Sequence, residues 1–367
     1  MGKILIVNNN LMIGGIQKSL INLLKGVHDK YDVTLLLFSD YGELIKDVPS
    51  DVKILYAHKR LKILGTPWDK LKKSISNIYN KFFSLFLCKV FGKDKALDFL
   101  FKKQKKIQGF DHVISYSHCQ NEKSIAISTA EFVLRCTESK DKICWIHCDY
   151  KHSDTYSKHN NALYMQFDKI ACCSDSVKNN FLSLLPDAAN KCYTVRNFYD
   201  SSILDLAKDN PFQYDDKYIN IVSVARLSYE KGIDLAIDAI KDSQRNDIRY
   251  YIVGDGPEEA KLKEMVDAYK LDNIFFLGAQ VNPYRYMKNA DYLLVPSRHE
   301  AAPMVFDEAN ILGLPVISTE TTSAREMIEA EYINNNILKV LTKIKKSEKT
   351  ENTCFKGQLQ QFRRIIG

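Results

Sequence analysis

No stretch of this 367-residue chain approaches the ~20 consecutive apolar residues of a membrane-spanning helix. The longest apolar run, FFSLFLCKVF at 82–91, is about half that length and carries a lysine. MGKILIVNNN runs directly into a strand pattern without the architecture of a signal peptide, so a cytoplasmic location is expected. The nine cysteines are an odd number, and their spacing fits no zinc template. They are expected as reduced, mostly buried thiols, with no metal site. No internal repeat is visible, and no nucleic-acid motif accompanies the basic residues. Acids are scarce between residues 59 and 106, where fourteen Lys/Arg face three Asp, a local balance of +11. The whole chain carries only +7, so the remainder is net acidic.

What is present is ordinary globular composition, 45% hydrophobic and 26% charged, in a chain long enough for two domains. Short apolar runs recur with helical patterns between them. The first series reads as strands at 3–8, 32–38, 112–117, 142–146, 168–173 and 192–196, the second at 218–224, 249–254, 273–278, 291–296 and 314–319. These runs are apolar on both faces, which suits parallel sheets buried under helices. Two strand–helix series predict an α/β chain of two doubly wound Rossmann-like domains. The expected boundaries are 1–200, a linker at 201–217, a second domain at 218–340 and a short basic tail at 341–367.

In such sheets ligands bind beyond the carboxyl ends of the strands, and the unusual residues cluster there. ARLSYEKGID (225–234) puts Arg226 at a strand end and Lys231 just before a helix. A guanidinium fork, an ammonium and free helix N–H groups together suit a diphosphate. VGDGPEEAKL (253–262) is a strand, a glycine turn and a helix start. DYLLVPSRHEAAPMVFDEANILGLPVIST (291–319) holds Glu300 at a strand end and Glu308 on the flank of the following helix, which Pro303 starts and Gly313 ends. A carboxylate accepts two hydrogen bonds from vicinal hydroxyls, so the pair suits a molecule with two separated diols, such as a nucleotide sugar.

The order ARLSYEKGID, VGDGPEEAKL, LGAQVNP, PSRHEAAPMVFDEANILGLPVIST, SAREMI resembles the retaining family 4 glycosyltransferases of the GT-B fold, whose signature is a Glu–seven residues–Glu motif. GGIQKSLINLL and KIACCSDSVKNNFLSLLP followed by VRNFYD look like the family's first domain, and the resemblance covers roughly residues 1–330. It implies two domains facing a central cleft. It also implies a hexosyltransferase that moves a sugar from a nucleotide-diphosphate sugar, expected as a UDP-sugar, with retention of configuration. The acceptor would be a saccharide or lipid-linked saccharide in cell-surface polysaccharide synthesis. The nucleotide sugar is a co-substrate and no metal or other cofactor is implied.

By that resemblance Arg226 and Lys231 bind the diphosphate and stabilise the leaving group, Glu300 holds the donor sugar and Glu308 the ribose. Ala302, Pro303, Met304 and Val305 meet the phosphates or sugar, and Val281 lies near the base. Gly14 and Gly15 admit the phosphate to the first domain, and His147 reaches the sugar or acceptor, with His118 a lesser candidate. Residues 59–106 interleave lysines with aromatics, so an anionic membrane surface at the inner face of the plasma membrane is an expected partner; nucleic acid is not. The chain departs from the family at Ala301-Ala302, where Gly-Phe is usual, and at Asn197-Phe198, where Asn-Pro is usual. It departs again after SAREMI, where QLQQFRRIIG stands as a stub of the family's returning helix or as a disordered end. A non-catalytic donor-binding partner of another transferase and a nucleotide-sugar 2-epimerase are the alternatives.

Overall fold

The eleven apolar runs and one further short segment form twelve strands among the described residues, and all their pairings are parallel. The computed structural model describes residues 2–72, 74–121, 123–153, 155–200, 202–347 and 357–367. The chain divides into two units: residues up to Phe198 together with Gly357–Gly367, and residues from Tyr199 to Lys356.

The first unit holds β1 (Lys3–Asn8), β2 (Asp32–Leu37), β3 (Lys53–Tyr56), β4 (Ile107–Ser115), β5 (Thr137–Ile146), β6 (Lys169–Cys172) and β7 (Cys192–Thr194). Their order is β3-β2-β1-β4-β5-β6-β7. The direction of winding reverses between β1 and β4, which pair directly. Residues Ile4 to Val7 are fully buried, as expected of a central strand covered on both faces. The short edge strand β3 is absent from the sequence reading. Only its second and third residues are half-buried, so four residues carry almost no periodic signal. Strands β4 and β5 also begin five residues earlier than their apolar ends indicate, and a register irregularity lies between Ile107 and Phe110.

The second unit holds β8 (Ile219–Val224), β9 (Ile248–Val253), β10 (Ile274–Gly278), β11 (Tyr292–Val295) and β12 (Val316–Ser318), in the order β10-β9-β8-β11-β12. Here the winding reverses between β8 and β11. The stretch 201–217, read as a linker, lies within this unit and contains the helix Ile203–Lys208. Ile203 and Ala207 are four residues apart on one face and both are buried in the unit's core.

The C-terminal segment joins the first unit as the helix Gln358–Ile366. Phe362 is fully buried, with its ring 6.0 Å from Tyr31, 6.4 Å from Trp145 and 6.3 Å from Phe198. Lys169 Nζ donates to the Ile365 carbonyl at 2.8 Å and the Arg196 N–H donates to Gln361 Oε1 at 3.0 Å. The eight described cysteines are free thiols, six of them buried, and Cys354 lies outside the described residues.

Candidate active site

In the second unit, the loops after β8 and β11 meet because those strands are neighbours where the winding reverses. That is the place where parallel sheets leave room for a ligand. The loop after β8 must turn sharply into the helix Ile233–Ser243, and Gly232 makes the turn in the left-handed region, at φ +62°. A Cβ there would stand 2.1 Å from the Pro296 carbonyl oxygen, so a side chain is excluded by space as well as by backbone conformation. Gly254 is confined in the same way: its Cβ would meet the Ala225 oxygen at 1.9 Å. The glycine turn after β9 thereby lies directly on the strand end that carries Arg226.

Lys231 forms an ion pair with Glu300 Oε1 across the two loops, and Ser297 Oγ donates to the same oxygen at 3.1 Å. The acid and the base assigned to different parts of a ligand are therefore joined in this structure. Arg226 is exposed and makes no ion pair among the described residues. Glu308 is only 4% exposed, deeper than the helix flank expected from the sequence, and its Oε1 accepts from the Tyr284 hydroxyl at 3.2 Å. Phe306, Ala309 and Leu312 form the buried stripe of the helix Met304–Leu312, and turning the helix to bury them carries Glu308 inward too. Pro303 precedes that helix as its cap, Met304 and Val305 open it, and Ala302 lies half-buried before it. Val281 is fully exposed on the loop after β10.

Arg298 was not among the residues singled out from the sequence. Its backbone N–H donates to the Glu230 carbonyl at 2.8 Å, and its Nη1 donates to the Tyr229 carbonyl at 2.8 Å. Nη1 and Nη2 grip the two Asp234 oxygens at 2.8 and 2.6 Å, and the guanidinium carbon lies 4.1 Å from the centre of the Tyr229 ring. That fork holds the Asp234 carboxyl below its ordinary range. Lys231 lies between the clamped residues Tyr229 and Asp234, and Glu300 lies two residues beyond the clamp. The clamp thus fixes one loop on the other. Its signal in the sequence is nil, because the Arg298–Asp234 pairing depends on β8 and β11 being neighbours.

In the first unit, β1, β4 and β5 likewise end together. Gly14 is extended at φ −178°, where a Cβ would stand 2.6 Å from the Gln17 side-chain oxygen, whereas a Cβ at Gly15 would meet nothing within 4 Å. His147 follows β5, its ring stacked on Trp145 at 5.9 Å and tilted 50° to Tyr116 at 4.7 Å, with Nε2 buried and unpartnered. Burial, aided by the charge of His118, pushes His147 down to about 3. Burial also opposes the charge on His118, but Cys148 outweighs it and holds His118 above its ordinary value, while Cys148 itself is lowered. Among the described residues no group of three or more His, Cys, Asp or Glu side chains could hold a metal ion.

The family described as glycosyl transferases group 1 matches residues 207–355. An uncharacterised glycosyltransferase of Methanocaldococcus jannaschii is 26% identical over 313 residues, covering 74% of this chain and 77% of that protein. The O-antigen biosynthesis glycosyltransferase WclY of Escherichia coli is 30% identical over 172 residues, 46% of this chain and 48% of that one. The match to WclY thus spans about half of its length. Among solved structures, Anabaena HepE in complex with UDP-glucose superimposes with a TM-score of 0.64 at 17% identity, covering 100% of this chain and 96% of that one. The chain is a GT-B-fold glycosyltransferase, related to enzymes of bacterial polysaccharide biosynthesis.

Proposed function

We propose that this glycosyltransferase moves a hexose from a uridine-diphosphate sugar, with retention, to a saccharide or lipid-linked saccharide in cell-surface polysaccharide synthesis. The observation that carries the reading is the Lys231–Glu300 pair at the β8/β11 reversal, with Arg226 exposed on the same loop as Lys231 and the helix Met304–Leu312 starting just after Glu300. A donor diphosphate would compete with Glu300 for Lys231, because two phosphates offer more charge than one carboxylate. Glu300, released from its cation, would then accept from hydroxyls of the donor sugar. Glu308, oriented by Tyr284, would accept from the ribose hydroxyls. The names of the relatives, which include O-antigen synthesis and a UDP-glucose complex, support this donor and this class of acceptor.

In the reaction the bond from the anomeric carbon to the β-phosphate oxygen breaks, and its electron pair stays on the phosphate. Arg226, Lys231 and the helix N–H groups stabilise that charge without a resident metal. The acceptor hydroxyl bonds to the same face of the anomeric carbon, and the departing phosphate takes its proton. Gly14, Gly15 and His147 belong to the acceptor-side half. His147 remains uncharged near neutrality and offers a neutral hydrogen-bonding nitrogen rather than a cation.

The test incubates the purified protein with a panel of nucleotide sugars, with and without membrane extract, and follows free nucleotide and the anomeric configuration of the product. Release with a retained anomer is expected. An inverted product removes the mechanism. Binding without release identifies a donor-binding partner, and conversion of the donor to its epimer identifies an epimerase.

A further inference from the structure

The helix Ile75–Phe91 is turned inside out relative to an ordinary surface helix. Its buried side chains are Asn80 and Ser84, both polar. Facing outward are Ile75 at 87% exposure, Phe82 at 59% and Phe86 at 55%, together with Tyr79 and Val90. These five recur at steps of four, three, four and four, so they line one stripe of the helix. Trp68, on the preceding helical turn, extends the stripe with its ring edge-on to Phe82 at 5.6 Å. Single exposed apolar residues are ordinary, but a continuous aromatic stripe calls for a cover.

Charge selects the cover. The helix carries no acid, and Lys89 is exposed within the stripe. Lys70, Lys72, Lys95, Lys102 and Lys103 are exposed on the neighbouring elements of the same +11 segment. A second copy of this surface would bring a matching positive field against it. An anionic bilayer offers the opposite charge together with an apolar layer for the rings. Seventeen helical residues span about 25 Å, but Asn80, Lys81, Ser84 and Lys89 interrupt them. Among the described residues no helix is long and apolar enough to cross a membrane. The geometry is that of a helix lying in the plane of the interface.

We propose that the outward face of the helix Ile75–Phe91, with Trp68, docks the enzyme by shallow insertion among the headgroups of an anionic lipid bilayer. This identifies the docking element and its depth, and it rests on no assumption about the donor. The full chain is mixed with phosphatidylcholine vesicles with and without phosphatidylglycerol, at low and high salt, and followed by sedimentation and tryptophan emission. Trp68 and Trp145 are the two tryptophans, and Trp145 is buried, so a blue shift reports Trp68. Binding and a blue shift are expected only with phosphatidylglycerol, weakening as salt rises.

The double variant Phe82→Ser/Phe86→Ser should lose about tenfold or more of vesicle partitioning. Its thermal midpoint and its nucleotide release from a soluble donor should be unchanged. Lys89→Glu should weaken partitioning several-fold. Equal partitioning of the double variant and the native chain overturns the proposal, as does binding indifferent to phosphatidylglycerol. A dimer in lipid-free ultracentrifugation that the same double variant abolishes assigns the face to a second copy instead and also overturns it. Failure here leaves nucleotide release intact, and failure of the transfer reading leaves vesicle binding intact.

Discussion

Glu300 and Glu308 share a motif but not an environment. Glu300 is tied to Lys231, the lysine proposed to turn to a donor diphosphate, whereas Glu308 is buried and held by Tyr284. The pair itself was legible in the sequence, because a strand, a turn and a helix fix the distance between the acids. Tyr284 was not, since nothing in YRYM marks which ring faces a carboxylate from another helix. Tyr284→Phe leaves the carboxylate without that donor, and we expect donor Kd to rise about three- to tenfold by titration calorimetry; an unchanged Kd would separate Tyr284 from the site. His147 carries a pH prediction. Its folded value is near 3 and its unfolded value about 6.5, so the unfolded chain binds the extra proton between them. The stability it contributes is complete above about pH 6.5 and is lost as pH falls toward 3. His118, raised in the fold, acts in the opposite sense. His147→Gln should therefore make the acid limb of stability less steep, by at most about 1.4 kcal/mol per pH unit. Urea denaturation between pH 7 and 5 measures it, and parallel limbs would refute it.

At the scale of elements, the site depends on two loops that only tertiary structure makes neighbours. Strands β8 to β12 were readable because each is a short apolar run between turn residues. Strand β3 and the helix Ile203–Lys208 were not, since each buries too few residues to impose a period. The Arg298 clamp belongs to the unreadable class, yet it sets the distance between Lys231 and Glu300. Arg298→Lys keeps the charge and loses the fork. We expect kcat to fall about 10- to 100-fold, because misplacement of the reacting groups by about 1 Å is costly. Donor binding should change less. A double-mutant cycle of Arg298→Ala with Asp234→Asn should return a coupling of about 1–3 kcal/mol in urea unfolding. A coupling of zero would show that the two loops are held by other contacts.

Over the whole molecule, the two-unit α/β organisation followed from strand–helix alternation alone. The fate of the C-terminus did not. QLQQFRRIIG is short and basic, and its apolar positions identify a core face only once the surface receiving Phe362 is known. The helix Gln358–Ile366 seals the first unit beneath Trp145 and Phe198. Phe362→Ala should destabilise that unit by about 3–5 kcal/mol, visible as an early urea transition, while leaving nucleotide binding by the second unit intact at low denaturant. A single unshifted transition would contradict that role. The basic segment 59–106 was legible as charge interleaved with aromatics, but only the structure shows that Tyr79, Phe82 and Phe86 face outward while Phe83 packs on Phe99.

On the proposed reading the two acids grip opposite ends of one donor. Steady-state donor kinetics of Glu300→Ala and Glu308→Ala test it most directly. Glu308→Ala should raise the donor KM about tenfold or more with little change in kcat, because a ribose grip is made equally in ground and transition states. Glu300→Ala should lower kcat about 100-fold with a smaller change in KM, because its contacts tighten at the reacting sugar. If both variants change the same parameter to the same extent, or the two effects are exchanged, the assignment of sugar and ribose to these carboxylates is contradicted.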